Sequence, residues 1–249
     1  MINLLLGLGL ALAVILLSSL LKISLWISIP MGLAAGFALF VWLGRRTQAA
    51  LEAIMAKAGA KMSGEAVRSE SMRNRKLDEA IEVMKEGYAL SNRQFLVKGS
   101  IDGQIGVLRY LQGRTDEAEP LLKASAMQHY IAKAMLGILQ WKRGQKKTAK
   151  ETFDAALKTG KKESLLYGVY AYVLNEMGDR DGAIEVMNKG LKVLSGDERL
   201  EKNRNLLQNA KPMKMSVYGE QWYQFMLERP KIMQEPPPFA RMSRRMMRG

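Results

Sequence analysis

The distribution of apolar and charged positions divides the chain into an apolar head and a charged body. Residues 1–43 contain one charged side chain, Lys22, and polar residues cluster around it in the segment 18–24. Because a membrane span needs about 20 apolar residues to cross ~30 Å of hydrocarbon, the head is long enough for two spans. We expect spans at about 3–21 and 25–43. One N-terminal anchor followed by a re-entrant segment is the alternative.

Two features of the head favour stable insertion over a cleaved signal peptide. Residues 1–3 carry no positive side chain, and the apolar run continues well beyond one signal-peptide core. Arg45 and Arg46 directly follow the second span, whereas the other flank offers only Lys22. Since basic residues near span ends stay on the cytoplasmic side, we expect the N-terminus and the body in the cytoplasm, at a bacterial inner membrane.

Small residues recur at four-residue spacing in both predicted spans, for example Gly7 and Ala11 in the first and Gly32 and Gly36 in the second. Such rows let helix backbones approach closely. We expect the two spans to pack on each other through them. A homo-oligomer through Gly32 and Gly36 is an alternative use of the same pair.

The segment after the spans has the period of an amphipathic helix over residues 45–62. Its apolar face consists of Leu51, Ile54, Met55 and Ala58. We expect this helix to extend the second span or to lie on the bilayer surface. Residues 62–74 are polar without a clear period, which predicts a linker.

The body repeats one spacing three times. Each copy has a glycine, an alanine five residues later and a bulky apolar residue four residues after that: Gly113, Ala118 and Leu122; Gly144, Ala149 and Phe153; Gly178, Ala183 and Met187. The steps between the glycines are 31 and 34 residues. A glycine ends a helix in the left-handed conformation, the alanine lets two antiparallel helices approach, and the bulky residue fills the space beside it. The pattern therefore predicts three helix pairs.

This pattern resembles the tetratricopeptide repeat (TPR), a helix–turn–helix unit of about 34 residues, over residues 95–193. The matching residues are Gly106, Ala118, Leu122, Leu136, Gly137, Ala149, Phe153, Ala156, Ala171, Ala183 and Met187. The first step is short, the proline that usually closes each unit is absent, and Pro120 sits inside a helix. Residues 77–84 are similar to the second helix of an earlier unit.

After the last repeat, the sequence predicts a polar capping helix and then a tail. Ser195 and Glu198 have the spacing of a capping box at the start of a helix over 197–210. After Pro212 the chain is rich in Pro, Met and charge, which argues against a packed core. An aromatic motif interrupts this tail at Trp222, Tyr223 and Phe225. It is either a short helix docked on the chain's own repeats or a segment that folds on a partner.

The sequence thus predicts an all-α protein with four parts. These are a transmembrane helical hairpin (1–44), a basic juxtamembrane helix and linker (45–76), an α-solenoid of about three TPR-like helix pairs with a capping helix (77–210), and a basic tail (211–249).

Charge is distributed unevenly among these parts. Of the formal net charge of +14, +5 lies in residues 45–76, +5 in 211–249 and only +3 in 77–210. Basic side chains beside a span suit anionic lipid headgroups. The candidates are Arg45, Arg46, Lys57 and Lys61. Binding to nucleic acid is disfavoured, because the chain lacks a recognition-helix motif and alternating aromatic and basic residues.

The amino-acid composition excludes most kinds of catalytic and metal-binding site. The chain has no Cys, which excludes disulfides, thiol nucleophiles, iron–sulfur clusters and thiolate zinc sites. The chain has one histidine, His129, so motifs with paired histidines are excluded. His129 lies between two predicted repeats, and we favour a structural role for it. No nucleophile with a neighbouring base is evident. We therefore expect no enzyme, no cofactor and no metal ion.

The TPR resemblance implies a binding protein that acts through a concave groove lined by the first helix of each repeat. The groove candidates are Val107, Tyr110, Ile138, Trp141, Tyr172 and Asn175. For several of these, Tyr110 and Trp141 above all, packing between helices is the alternative. We expect a membrane-anchored scaffold that captures a peptide or helix of a partner in a membrane complex. The alternative function is binding of anionic lipid through the basic flanks.

Overall fold

The structure is a computed structural model and describes residues 1–63, 69–126 and 128–229. Every regular element in these ranges is helical. The α-helices are α1 (Ile2–Leu20), α2 (Leu25–Met62), α3 (Glu70–Lys85), α4 (Phe95–Leu111), α5 (Thr115–Ala124), α6 (Tyr130–Lys142), α7 (Lys146–Thr159), α8 (Ser164–Glu176), α9 (Arg180–Val193), α10 (Glu198–Gln208) and α11 (Glu220–Tyr223). Two 3₁₀ turns cover Glu86–Leu90 and Met215–Tyr218.

The chain divides into two compact units, unit 1 (Met1–Leu136) and unit 2 (Gly137–Gly249). The division falls within α6, inside the segment 77–210 that the sequence predicts as one repeat domain. It also joins the predicted hairpin and juxtamembrane segment to the first helix pair.

Unit 1 begins with a helical hairpin whose turn lies where the sequence predicts it. α1 ends at Leu20 and α2 begins at Leu25, and Lys22 between them has a left-handed φ of 57°. Both helices are long and apolar enough to cross a membrane. Most of their large apolar side chains are exposed, including Leu20 at 80% and Trp26 at 90%. Length, composition and the exposed apolar side chains together make both helices candidate membrane spans.

Small residues hold the two hairpin helices in close contact. A Cβ added to Gly7 would lie 2.9 Å from the carbonyl oxygen of Gly36, and one added to Gly32 would lie 2.7 Å from that of Ala11. At the open end of the hairpin, the buried side-chain amide of Asn3 donates to the hydroxyl of Thr47 at 3.1 Å. The glycine pair is therefore occupied within the chain, and a homo-oligomer through Gly32 and Gly36 would have to displace α1.

The second hairpin helix continues without interruption into the core of unit 1. Leu51 and Ala58 of α2 are 5% and 0% exposed, and they join a cluster that includes Ile81 of α3 and Ile101 of α4. Ile54 and Met55 pack against the same cluster. The amphipathic face of residues 45–62 is thus turned to the protein interior. Of the two predicted alternatives, the continuous helix and its buried face favour an extension of the second predicted span.

The predicted linker over 62–74 is wrong where the structure describes it, because α3 already begins at Glu70. The hydroxyl of Ser69 accepts a hydrogen bond from the backbone N–H of Met72 at 3.2 Å, which makes Ser69 the N-cap of α3. The polar composition of the segment did not indicate this cap. The predicted boundary between residues 76 and 77 therefore lies inside a helix.

Helix pairs follow in both units with the predicted turn chemistry. The turn glycines Gly113, Gly144 and Gly178 have φ of 76°, 78° and 84°, the left-handed conformation that the glycine spacing predicts. The paired alanines and bulky residues are all fully buried: Ala118, Leu122, Ala149, Phe153, Ala183 and Met187. The spacing therefore identifies the true contact positions within each pair.

α10 follows the last pair, as predicted, but its cap differs from the prediction. Asp197 is the N-cap, and its carboxylate accepts the backbone N–H groups of Arg199 and Leu200 at 3.0 and 3.2 Å. The predicted capping box of Ser195 and Glu198 is wrong because the N-cap lies at Asp197, two residues after Ser195. A carboxylate at this position also benefits from the positive end of the helix dipole.

Candidate functional site

The structure places the two groove candidates of unit 1 differently. Val107 is half-buried on α4, whereas Tyr110 is only 2% exposed. Burial raises the pKa of the Tyr110 phenol, so this group stays neutral. Tyr110 therefore packs between helices and offers no surface to a partner, which corrects its assignment to the groove.

The four groove candidates of unit 2 also separate by burial. Ile138 is fully buried and is removed from the groove for the same reason as Tyr110. Trp141 is half-buried at the end of α6. Asn175 is half-buried and lines a shallow depression of about 370 Å³ beside Asp179. Tyr172 is half-buried as well, but another part of the chain covers it.

The cover on Tyr172 is the aromatic segment of the predicted tail. Trp222 is fully buried, and its ring meets the Tyr172 ring edge-on with centroids 5.0 Å apart. Phe225, one turn later, is 2% exposed. The indole N–H of Trp222 donates to Glu228 at 2.9 Å, so the polar edge of the ring is satisfied. Tyr223 is half-buried. Of the two alternatives left open for this motif, the structure has it docked on α8 of its own chain.

The segment before Trp222 is held on α8 and α10 by close contacts as well. A Cβ on Gly168 of α8 would lie 2.8 Å from the ring of Tyr218, so only glycine leaves room for that ring. The guanidinium of Arg199 lies over the same ring at 5.5 Å. The side chain of Asn203 accepts the backbone N–H of Lys214 at 2.7 Å. The expectation of an unpacked tail is therefore wrong for residues 214–225.

Two non-glycine residues direct this segment through left-handed turns. Ala210 has a φ of 55° after α10, where the N–H of Lys211 returns to the carbonyl of Leu206 at 2.8 Å. Met226 has a φ of 52° after α11. Such conformations cost about 1–2 kcal/mol at non-glycine residues, so packing of the aromatic side chains must hold them.

At the open end of the hairpin, the fold adds residues that the sequence analysis did not select. The first two backbone N–H groups of α1, from Ile2 and Asn3, donate to the carbonyls of Asn92 and Arg93 at 3.0 and 3.2 Å. The side-chain amide of Gln94 lies 3.8 Å from the position of a Cβ on Gly44, so the start of α4 lies beside the end of the apolar part of α2. Exposed Arg93 and the 69% exposed Phe95 flank Gln94 in sequence. Only the folded chain brings these positions together.

The four predicted basic lipid contacts do not share one depth. Arg45 and Arg46 are exposed at the end of the apolar part of α2, and the guanidinium of Arg46 lies 5.9 Å from the ring centre of Trp42. Lys57 lies 13 residues past Gly44, about 20 Å along the helix, and Lys61 about 26 Å. Lys57 also pairs with Glu86 at 3.2 Å. Because charges are screened over about 8 Å, Lys57 and Lys61 are too distant for a bilayer that ends near Gly44.

Within the described ranges, no group of His, Asp and Glu side chains could hold a metal ion. A buried acid does occur in unit 1, where Asp102 is 4% exposed and accepts the Tyr88 hydroxyl at 2.6 Å. Burial and this carboxylate raise the pKa of Tyr88. The pair joins the Glu86–Leu90 turn to α4, which is a structural task.

No protein-family model matches the chain, and neither curated proteins nor solved structures give a match.

Proposed function

We propose that this protein is a membrane-anchored scaffold in which TPR-like helix pairs hold an aromatic segment of a partner protein. The apolar hairpin crosses the bilayer twice, and the excess of basic residues after the second span keeps the body in the cytoplasm. Continuity of α2 from the hairpin into the core of unit 1 supports anchoring, because it fixes the body to the membrane by a rigid helix.

The observation that carries the binding proposal is the seat on α8. Gly168 and Tyr172 already hold an aromatic segment of the same chain, with Tyr218 and Trp222 as its anchors. Buried aromatic anchors are the groups that contribute most to peptide and protein interfaces. A partner with a similar segment would bind this face in place of residues 215–225. The docked segment then competes with the partner for α8 and lowers the apparent affinity for the partner.

Site-specific photo-crosslinking in intact membranes tests this function. A photoreactive amino acid is placed at Tyr172, or at the 49% exposed Val193 of α9 as a control. In the otherwise unchanged chain, position 172 should crosslink mainly to the chain's own segment 215–225. With Trp222→Ala, position 172 should gain adducts with a second protein that position 193 does not form. Equal adducts at both positions, with or without Trp222, would remove the partner-binding function.

A second candidate function is binding of anionic lipid at the open end of the hairpin. The observation in its favour is that the contact between α1 and Arg93 adds a further exposed basic residue to Arg45 and Arg46. Spin-labelled phosphatidylglycerol and phosphatidylcholine would be compared in vesicles that contain the full chain. Arg45→Gln with Arg46→Gln should abolish a salt-sensitive preference for phosphatidylglycerol, and Lys61→Gln should leave it intact. No preference in the unchanged protein would eliminate this candidate.

A further inference from the structure

Unit 1 contains an open cleft that neither the groove nor the basic residues account for. Its volume is about 480 Å³, within the range of about 300–1,000 Å³ that is usual for ligand sites. It lies between α2, the first turns of α4 and the start of α6. The described residues that line it are Gln48, Leu51, Gln94, Leu96, Val97, Ser100, Ala126, Gln128, His129, Tyr130 and Ile131.

The cleft lies at the depth of lipid headgroups if the hairpin spans the bilayer. Gln48 is four residues past Gly44, which corresponds to about 6 Å of helix rise. The headgroup layer on each side of a bilayer is about 5–8 Å thick. Gln94 belongs to the same level, since a Cβ added to Gly44 would lie 3.8 Å from its side-chain amide. The membrane-side wall of the cleft is therefore level with the glycerol esters and headgroups of the adjoining leaflet.

The lining combines an apolar wall with uncharged polar groups. Leu51, Leu96, Val97 and Ile131 form the apolar part, and the polar side chains include the three glutamines and Ser100. Glutamine amides and hydroxyls can donate and accept hydrogen bonds but carry no charge. Such a lining favours a ligand with a hydrocarbon chain and a neutral oxygen acceptor over a charged headgroup or a free carboxylate.

His129 lines the cleft but offers it no accessible donor. Its Nδ1 accepts the backbone N–H of Ala132 at 3.3 Å, and its Nε2 is buried within the protein. The groups that can bind the polar end of a ligand are therefore the glutamine amides and the hydroxyl of Ser100.

We propose that this cleft binds the ester-bearing end of one acyl chain of a membrane glycerolipid. The first methylenes of the chain lie along Leu96, Val97 and Ile131. The ester and glycerol oxygens accept hydrogen bonds from the glutamine amides and the hydroxyl of Ser100. This inference rests on the membrane-spanning hairpin of the proposed function but not on the partner groove.

The test uses the full chain in phosphatidylcholine nanodiscs that contain phosphatidylcholine with a diazirine near the ester end of one acyl chain. After irradiation and digestion, mass spectrometry should find adducts on the hairpin helices and also on residues 94–100 and 128–131. Gln128→Trp and Ser100→Trp, two independent blocking variants, should each remove the cleft adducts and leave the hairpin adducts unchanged. Lys98→Trp, on an exposed residue of α4 outside the cleft, is the matched control and should behave as the unchanged chain.

Two results separate failure of the cleft from failure of the anchor. Hairpin adducts with no more label on residues 94–100 than on α9, or with cleft label unaffected by both blocking variants, would overturn the lipid site and leave the anchor standing. Absence of adducts from the hairpin itself would overturn the membrane-spanning proposal.

Discussion

In each unit, a segment that was predicted to lie outside the repeat domain packs into the protein interior. The two segments are attached in different ways. In unit 1, the second half of α2 contributes Leu51 and Ala58 from one long helix. In unit 2, residues 215–225 contribute Tyr218 and Trp222 from two short turns. A long helix distributes its contacts over many residues. A short segment depends on a few large anchors, so its attachment is the easier one to release.

Loss of the main anchor in unit 2 should have the largest effect. Trp222→Ala removes a fully buried indole and should cost about 3–5 kcal/mol, with the loss confined to the segment and α8. Hydrogen exchange of the α8 amides and limited proteolysis after Lys214 measure it. Tyr223→Ala, at the half-buried neighbouring position, should cost clearly less. Equal losses from the two variants would mean that Trp222 is not the anchor.

Truncation in α2 should have a somewhat smaller effect that spreads through unit 1. Leu51→Ala opens a cavity in the core cluster and should cost about 2–5 kcal/mol. Urea unfolding of the full chain in detergent, followed by hydrogen exchange in α3 and α4, measures the loss. Leu16→Ala is the same substitution at a 64% exposed position of α1 and serves as the control. If both variants unfold alike, α2 is not part of the core.

The buried pair in unit 1 should contribute less than either core residue. Tyr88→Phe leaves the carboxylate of Asp102 without a 2.6 Å donor and should cost about 1–3 kcal/mol. The cost should shrink when Asp102 is replaced by Asn in the same chain, since the two groups are coupled. Additive costs in this double-mutant cycle would show that the hydrogen bond does not stabilise unit 1.

The smallest effect is a dependence of unit 1 stability on pH. Burial lowers the pKa of His129 below its usual 6.5, so the unfolded chain binds the proton more readily than the folded chain. The stabilisation is complete above about pH 6.5 and is lost as the pH falls through the folded pKa. Urea unfolding between pH 7.5 and 5 measures the slope, and His129→Asn should flatten it. Since His129 is the only histidine, an unchanged slope in that variant contradicts the assignment.

The elements that could be predicted from the sequence are those with local causes. The hairpin turn around Lys22 follows from a break in an apolar run. The left-handed turns at Gly113, Gly144 and Gly178 follow from a repeated spacing, because glycine has no Cβ and adopts a positive φ without steric cost. Burial of the alanines five residues later follows from the same spacing.

The features that could not be predicted depend on tertiary contacts. The face of a helix that Tyr110 and Ile138 occupy is decided by neighbours distant in sequence, and both side chains are buried. The segment around Trp222 has no helical period, so only its aromatic content signalled a docking role. Arg93 and Phe95 reach the hairpin only through the contact between α1 and the start of α4. The cleft around His129 is formed by three helices and leaves no signature in the sequence.

The central claim is that the hairpin crosses the membrane and that α2 carries the body on the side of the N-terminus. The absence of Cys allows a direct test with single cysteines at Lys22, in the hairpin turn, and at exposed Val193, in the body. A membrane-impermeant maleimide added to right-side-out vesicles should label Lys22→Cys and not Val193→Cys, and inverted vesicles should give the opposite result. Labelling of both positions from the same side would contradict the account.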